Sequence, residues 1–365
     1  MTNTAQKKSS SRRTKTGIRG FLVIDNTALG PGKGGMRLMP DVTVKEVARL
    51  ARAMTWKNAM AELPLGGAKS GIVADPYKVD RKEAVRALAR GLKGLIPDKY
   101  VGGPDMNTGE AEMEAFANEI GTPKAATGKP AKMGGLPHEL GSTGFGVAHS
   151  AAVALEFAGI PIKGARVAIE GFGNVGTFTA RFLSQWGAKI VAVSERSGTI
   201  YDPNGFDVSQ LIKEKTEHRT LVKLCKGSCK HLPTEKLFEV ECDVLVPGAR
   251  PDAINESNWQ MVNAKIITQG ANIPIVPEVE VKLWKEKNVL IVPDFVANAG
   301  GIISSYTEMI GGNDKQMFER VEKTIRKNTK MVLERAHKEG KFTRDVAMEI
   351  AKERIDDAMK KRGWR

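Results

Sequence analysis

The stretch ARVAIEGFGNVG, residues 165–176, decides the fold. A short apolar run ends in Gly-x-Gly-x-x-Gly, with Gly171, Gly173 and Gly176 at the glycine places, and a helical pattern follows through Trp186. Each glycine has a reason. The first permits the tight strand-to-helix turn, the second lets backbone approach a pyrophosphate, and the third allows close helix–strand packing. The phosphates rest on the helix N-terminus, where partial positive charge collects. Lone matches to this pattern are weak. Here the next strand, GAKIVAVSE from Gly187, ends in Glu195, at the spacing of the acid that accepts ribose hydroxyls. The candidate dinucleotide residues are Gly171, Phe172, Gly173, Asn174, Val175, Gly176, Glu195 and Arg196. Glu195 favours NAD and Arg196 favours NADP; dual use is open, with a slight lean to NADP because the chain is basic.

Downstream, DVLVPG from Asp243, AKIITQG from Ala264 and NVLIVPD from Asn288 read as further strands with helical or loop segments between them. That alternation predicts an α/β fold with a helix-covered parallel sheet of the Rossmann type. Upstream, Gly20–Asp25 reads as a strand and NTALGPGKGGMR as a Gly-rich loop. Thr43 opens a capping box, and an amphipathic helix follows to about Glu62. Two more helices are expected over Arg81–Leu92 and Glu110–Ile120, and the C-terminus is helical from Lys315 to Lys361 with a break near Gly340.

At 365 residues the chain exceeds one typical core. The expected division is a disordered basic tail over 1–19, a substrate-binding and oligomerisation domain over 20–143 plus a returning C-terminal helix over about 336–365, and a dinucleotide domain over 144–335. A cleft is expected between the domains. The net charge is +14, but Lys7, Lys8, Arg12, Arg13, Lys15 and Arg19 precede the first acid, Asp25. Those charges read as a solvated tail, and no nucleic-acid motif accompanies them. No apolar run approaches a membrane span, and no secretory signal pattern is seen. Cys225, Cys229 and Cys242 are not expected to form a disulfide framework, so a reduced, cytoplasmic setting is the expectation. Cys225, Cys229 and His231 read as loop residues with no metal.

Three lysines lie among small residues: Lys33 in GPGKGGMR, Lys57 in MTWKNAM and Lys69 in PLGGAKSG; Asp105 follows in GGPDMNTGE. Small residues mark bends or close approaches, so Lys69 needs an explanation. Several lysines in one cleft suit a dicarboxylate, and a lysine crowded by cations has a lowered pKa.

These residues, with GFGNVG, CDVLVPGA (242–249), QGAN (269–272), VANAGGIISSYTE (296–308) and the closing ERIDDAMKKRGW, resemble the glutamate dehydrogenase family within the wider Glu/Leu/Phe/Val dehydrogenases. The resemblance covers the chain from about Gly20 onward. It implies that Lys69 acts on the substrate carbonyl and the attacking water, and that Asp105 moves the proton. It implies Lys57 on the α-carboxylate and Lys33 and Ser305 on the distal carboxylate. Asn298 and Thr143 would stand near the nicotinamide and substrate amine, with Asn272 at the cofactor. Relatives acting on apolar amino acids carry an aliphatic residue in place of Lys33. The resemblance therefore implies glutamate, 2-oxoglutarate and ammonia as substrates, NAD or NADP as cofactor, no membrane or specific nucleic-acid partner, and a homo-oligomer, a hexamer. The alternatives are a branched-chain or aromatic amino acid dehydrogenase and a non-catalytic nucleotide-binding regulatory relative. Glu139 stands where the family commonly has arginine, Ile275 and Val276 where threonines are common, and Ser70 where Gly or Ala is usual.

Overall fold

The computed structural model describes residues 8–13, 18–137 and 140–364. The chain divides into two compact units: Met1–Leu140 with Ile302–Met317 and Met348–Arg365, and Gly141–Gly301 with Phe318–Ala347. The sequence reading placed 144–335 wholly in the dinucleotide domain; the structure gives Ile302–Met317 to the first unit.

The first unit is built on strands β1 (Lys8–Arg13), β2 (Arg19–Asn26), β3 (Gly32–Lys33), β4 (Met36–Met39), β5 (Gly66–Val73) and β6 (Tyr100–Val101), with helices α1 (Val44–Met60), α2 (Arg81–Leu92) and α3 (Glu110–Ile120). The strand order is β1-β2-β5-β3-β6, with β4 also paired to β5. The stretch that looked like a bend around Lys69 is therefore the central strand, buried along nearly its whole length. Its small residues serve close packing. A Cβ on Gly67 would stand 2.1 Å from the Thr55 hydroxyl of α1, and one on Gly71 would stand 2.8 Å from the Phe21 ring. Asn58 of α1 donates to the Gly66 carbonyl at 2.7 Å and fixes the helix against the strand. Thr43 caps α1 by accepting from the Glu46 N–H at 3.1 Å. At the other end Arg354 donates to the Ala59 and Met60 carbonyls, which ties the C-terminal helix to this unit.

Two expectations need correction here. The expected loop over 26–37 contains β3 and the start of β4, because β5 offers both backbones hydrogen-bond partners and β6 pairs with β3 on its other side. The expected disordered tail contains β1, antiparallel to β2 from Lys8–Ile24 to Arg13–Arg19. Composition favours solvation of this segment, but the open edge of β2 supplies a ladder. Residues 1–7 and 14–17 lie outside the described residues.

The second unit begins with α4 (Ser142–Phe157) and carries β7 (Arg166–Glu170), α5 (Asn174–Gln185), β8 (Lys189–Glu195), β9 (Gly198–Tyr201), α6 (Val208–His218), β10 (Lys230–Leu232), β11 (Cys242–Pro247), β12 (Ala264–Thr268), α7 (Pro277–Lys287), β13 (Leu290–Val292) and α8 (Asp294–Ala297). α9 (Gly300–Met309), α10 (Asp314–Glu339) and α11 (Thr343–Lys361) complete the chain. The sheet order is β10-β9-β8-β7-β11-β12-β13. The five strands from β8 to β13 are parallel, and β9 and β10 extend the sheet antiparallel. Strand order reverses at β7, so its carboxyl end opens on the crevice where doubly wound sheets bind ligands. Cys225 and Cys229 form a disulfide in the segment before β10, and Cys242 is free and buried. The expectation of three unpaired cysteines is thus corrected: Cys225 and Cys229 come within 5.0 Å between Cα atoms, a distance that permits bridging. Among the described residues no helix is long and apolar enough to cross a membrane.

The packing of β5 on α1 makes a prediction. Gly67→Ala should lower stability by about 1–3 kcal/mol through overpacking. Gly91→Ala, where a Cβ meets nothing within 4 Å, should be neutral or stabilise by up to about 1 kcal/mol. Urea midpoints followed by circular dichroism decide it, and equal midpoints for the two variants would refute the packing argument.

Candidate active site

Along β5 side chains alternate, so Gly67, Lys69 and Gly71 share one face while Ala68, Ser70 and Ile72 share the other. On the second face Ser70 is within 2.9 Å of the Tyr100 hydroxyl, and Ala68 and Ile72 enter the core against Leu88 and Phe116. On the first face Lys69 stands between two residues without side chains. Its ammonium reaches the Asp105 carboxylate at 2.9 Å. Gly35 makes room for that meeting, since a Cβ there would lie 2.8 Å from the Asp105 Cβ and 3.2 Å from the Lys69 Nζ.

Asp105 is held from its backbone and its carboxylate. Its N–H donates to the Thr108 hydroxyl at 2.9 Å, and that hydroxyl donates to the Met36 carbonyl at 2.7 Å. Arg37 Nε donates to Asp105 Oδ2 at 3.0 Å, while Arg37 Nη1 meets Glu46 at 2.5 Å. Burial pushes the Asp105 carboxyl upward, but Lys69 and then Arg37 outweigh it and hold the group below its ordinary range. Sequence reasoning missed Arg37, which closes the GPGKGGMR stretch but lies 68 positions from Asp105. The glycines around Lys69 are mostly taken up by packing within the protein.

Lys33 is buried, with its ammonium donating to the Gly102 carbonyl at 2.9 Å. Burial lowers its pKa from 10.5 to about 7; Glu308 opposes that shift, and Lys69 and Lys129 add to it. Burial, more than crowding by other cations, is thus what lowers Lys33. Lys129 and Glu308 form a buried ion pair that sequence reasoning also missed. Glu308 further accepts from the Gly128 N–H at 2.9 Å and the Leu136 N–H at 3.2 Å, so one carboxylate holds both ends of the segment over 128–136. Ser305 lies one turn before Glu308 on α9 and is half-buried. Lys57 is half-buried on α1, beside the apolar stripe as its spacing implies. Glu139 lies outside the described residues.

In the second unit the glycine turn has the form a pyrophosphate requires. Gly171 adopts φ +85°, its N–H donates to the Ser194 carbonyl at 3.0 Å, and α5 starts three residues later. A Cβ on Gly176 would lie 1.9 Å from the Gly171 oxygen, whereas one on Gly173 would meet nothing within 4 Å. Close packing below the turn and open space above it fit a dinucleotide. Phe172 is buried, and Asn174 and Val175 form the first turn of α5. Asn298 donates to the Gly270 and Ala271 carbonyls at 3.3 and 3.2 Å and to Asn272 at 3.1 Å, which brings two of the candidate residues together. The Asn298 Oδ1 is buried with no partner among the described residues, an acceptor that a ligand would satisfy. Thr143 is at the start of α4, where a Cβ on Gly301 would stand 2.9 Å from its hydroxyl. Among the described residues no group of three or more His, Cys, Asp or Glu side chains could hold a metal ion.

Glu195 ends β8 as expected, yet its carboxylate is engaged within the protein. It accepts from the Ser197 hydroxyl at 2.7 Å, the Thr220 hydroxyl at 2.9 Å and the Leu221 N–H at 2.7 Å, and it pairs with Lys215.

A parallel-sheet unit with a phosphate turn, joined to a unit carrying buried lysines and a lysine–aspartate pair, defines an amino acid dehydrogenase architecture. The family Glutamate/Leucine/Phenylalanine/Valine dehydrogenase matches residues 134–363, and its dimerisation domain matches residues 4–122. This chain belongs to the Glu/Leu/Phe/Val dehydrogenase family. It is 40% identical to a glutamate dehydrogenase of Aeropyrum pernix, over 93% of this chain and 85% of that protein. It is 38% identical to an NADP-specific glutamate dehydrogenase of Saccharolobus shibatae, over 98% of this chain and 88% of that one. The crystal structure of a hetero-hexameric glutamate dehydrogenase from Thermus thermophilus, in a Leu-bound form, superposes with a TM-score of 0.84 at 31% identity, covering 99% of this chain and 90% of that one.

The buried pair behind Lys33 is testable on its own. Glu308→Ala leaves the Lys129 charge buried and should cost about 3–5 kcal/mol. Arg326→Ala removes only the exposed pair with Glu156 and should cost under about 1 kcal/mol. Comparable urea midpoints would show that the Glu308 pair holds nothing together.

Proposed function

We propose that this chain catalyses the reversible oxidative deamination of L-glutamate to 2-oxoglutarate and ammonia, with hydride transfer to NAD or NADP. The observation that carries the reading is the Lys69–Asp105 pair at 2.9 Å with the buried Lys33 close enough to feel the Lys69 charge. A bound nicotinamide supplies the hydride acceptor for the substrate Cα. The remaining work falls to side chains of the chain itself. Lys33 and Ser305 take the distal carboxylate, and Lys57 takes the α-carboxylate. The Lys69 ammonium faces the oxygen on which negative charge develops as water adds to the imine carbon. Asp105, kept ionised by Lys69 and Arg37, accepts a proton from the substrate ammonium or the attacking water and returns it to the departing ammonia. Asn298 presents its unpartnered Oδ1 to the amine or the carboxamide.

An apolar substrate would leave a Lys33 charge without a partner in a dry pocket, which disfavours branched-chain and aromatic amino acids. The relation to a protein described as hetero-hexameric supports a hexamer as the assembly.

Oxidation of NADPH and NADH with ammonia and a panel of 2-oxo acids tests the reading: 2-oxoglutarate should be the best substrate, and silence on every acid would leave a regulatory relative. Asp105→Asn should lower kcat by about 10²–10⁴-fold with a smaller change in KM. Lys33→Leu should weaken 2-oxoglutarate by about tenfold to hundredfold, the worth of a hydrogen bond to a charged group. The pH dependence has a definite sign. A distal carboxylate favours charged Lys33, so binding takes up a proton above about pH 7, and affinity falls as pH rises through that value. Glutarate inhibition between pH 6 and 9 measures this; a flat profile, or the same slope in Lys33→Leu, rejects the assignment.

A further inference from the structure

The surroundings of Glu195 bear on which coenzyme the second unit takes, given that it takes one at all. The acid at the end of the second strand normally reads the adenosine ribose by accepting from its hydroxyls. Here that carboxylate is largely buried, with only 8% of its side chain exposed. Ser197, Thr220 and the Leu221 N–H converge on Oε1, and the Lys215 ammonium of α6 takes Oε2. A carboxylate offers about two acceptor sites on each oxygen, so three donors saturate Oε1 and Lys215 takes one of the two sites on Oε2. Lys215 is held in turn by the Arg219 carbonyl at 3.2 Å, which ends α6 in a left-handed cap beside it. The ion pair cancels the charge that would repel a phosphate. Arg196, next in the chain, is exposed and makes no ion pair among the described residues. The end of β8 therefore carries a neutralised acid followed by the exposed Arg196 guanidinium, with the Ser197 hydroxyl bonded to the acid.

We infer that Lys215 is a specificity-determining positioning residue: by holding Glu195 away from the ribose, it makes the adenosine end of this site select a 2′-phosphate, with Arg196 as the group that receives it. A phosphomonoester brings close to two negative charges and matches a planar guanidinium in a bidentate pair. A ribose diol, which needs two acceptors, finds only the second site of Oε2, beside the Lys215 ammonium. The inference rests on the dinucleotide reading of the Gly171–Gly176 turn.

Calorimetric binding of 2′,5′-ADP and 5′-AMP to the whole protein separates the two ideas without any turnover. The unaltered protein should bind 2′,5′-ADP at least tenfold more tightly than 5′-AMP. Lys215→Met frees an unbalanced Glu195 and should reduce that ratio at least tenfold, with NAD binding improved, while Lys215→Arg should keep it. Arg196→Ala should lower affinity for 2′,5′-ADP and leave 5′-AMP unchanged. General damage to the unit weakens both probes together and leaves the ratio where it was. A ratio in Lys215→Met within twofold of the unaltered protein, or an unaltered protein preferring 5′-AMP, overturns the inference. Binding of neither probe nor of NADP overturns the dinucleotide reading, and this inference with it.

Discussion

A lysine ammonium held 2.9 Å from an aspartate carboxylate on a buried central strand is the constraint around which the first unit is arranged. Both groups leave water only if other charges and dipoles replace it. Arg37 supplies a second cation to Asp105, and Glu46 satisfies Arg37 in turn, so the chain of charge reaches the first turn of α1. Every bulky alternative along β5 would break the arrangement. Gly67 and Gly71 are small because α1 and Phe21 approach the strand, and Gly34 because its Cβ would stand 1.6 Å from the Ala68 oxygen. The glycine pattern that made Lys69 conspicuous is thus mainly the signature of dense packing, with Gly35 giving room to the Lys69–Asp105 pair.

Charge in the rest of the unit follows the same rule of compensation. Lys33 has a carbonyl and a distant carboxylate for company but no ion pair among the described residues, and burial brings its pKa to about 7. Lys129, almost as buried, has Glu308. One lysine is therefore compensated by a carboxylate of the protein, and the other by a backbone carbonyl and a lowered pKa.

In the turn after β7 Gly171 is required by its positive φ and Gly176 by close packing on the Gly171 oxygen, while Gly173 faces open space. Beneath the QGAN segment lies a buried ionic cluster. Arg344 reaches Glu280 at 2.6 Å, Asp294 at 3.0 Å and Gln269 at 2.9 Å, and Gln269 and Asp294 also take the backbones at Asp294 and Ile273. That network fixes the loops at the carboxyl ends of β12 and β13, from which Asn272 and Asn298 project.

The sequence alone determined whatever depends on neighbours along the chain. Helix limits for α2 and α3 follow from caps and periodicity within one segment, and the Gly171–Gly176 turn from its strand and helix on either side. It also picked out Lys33, Lys69 and Asp105 as a set, because their settings are locally unusual. Tertiary structure decided the rest. That β5 is a strand, that β1 pairs with β2, and that Ile302–Met317 belongs with the first unit depend on partners far away in sequence. So do the roles of Arg37, Glu308 and Lys215. A charged residue looks the same in a sequence whether it meets water, an ion partner or a ligand. Only its burial and the groups that face it choose among these, because desolvation makes an uncompensated charge too costly to leave alone.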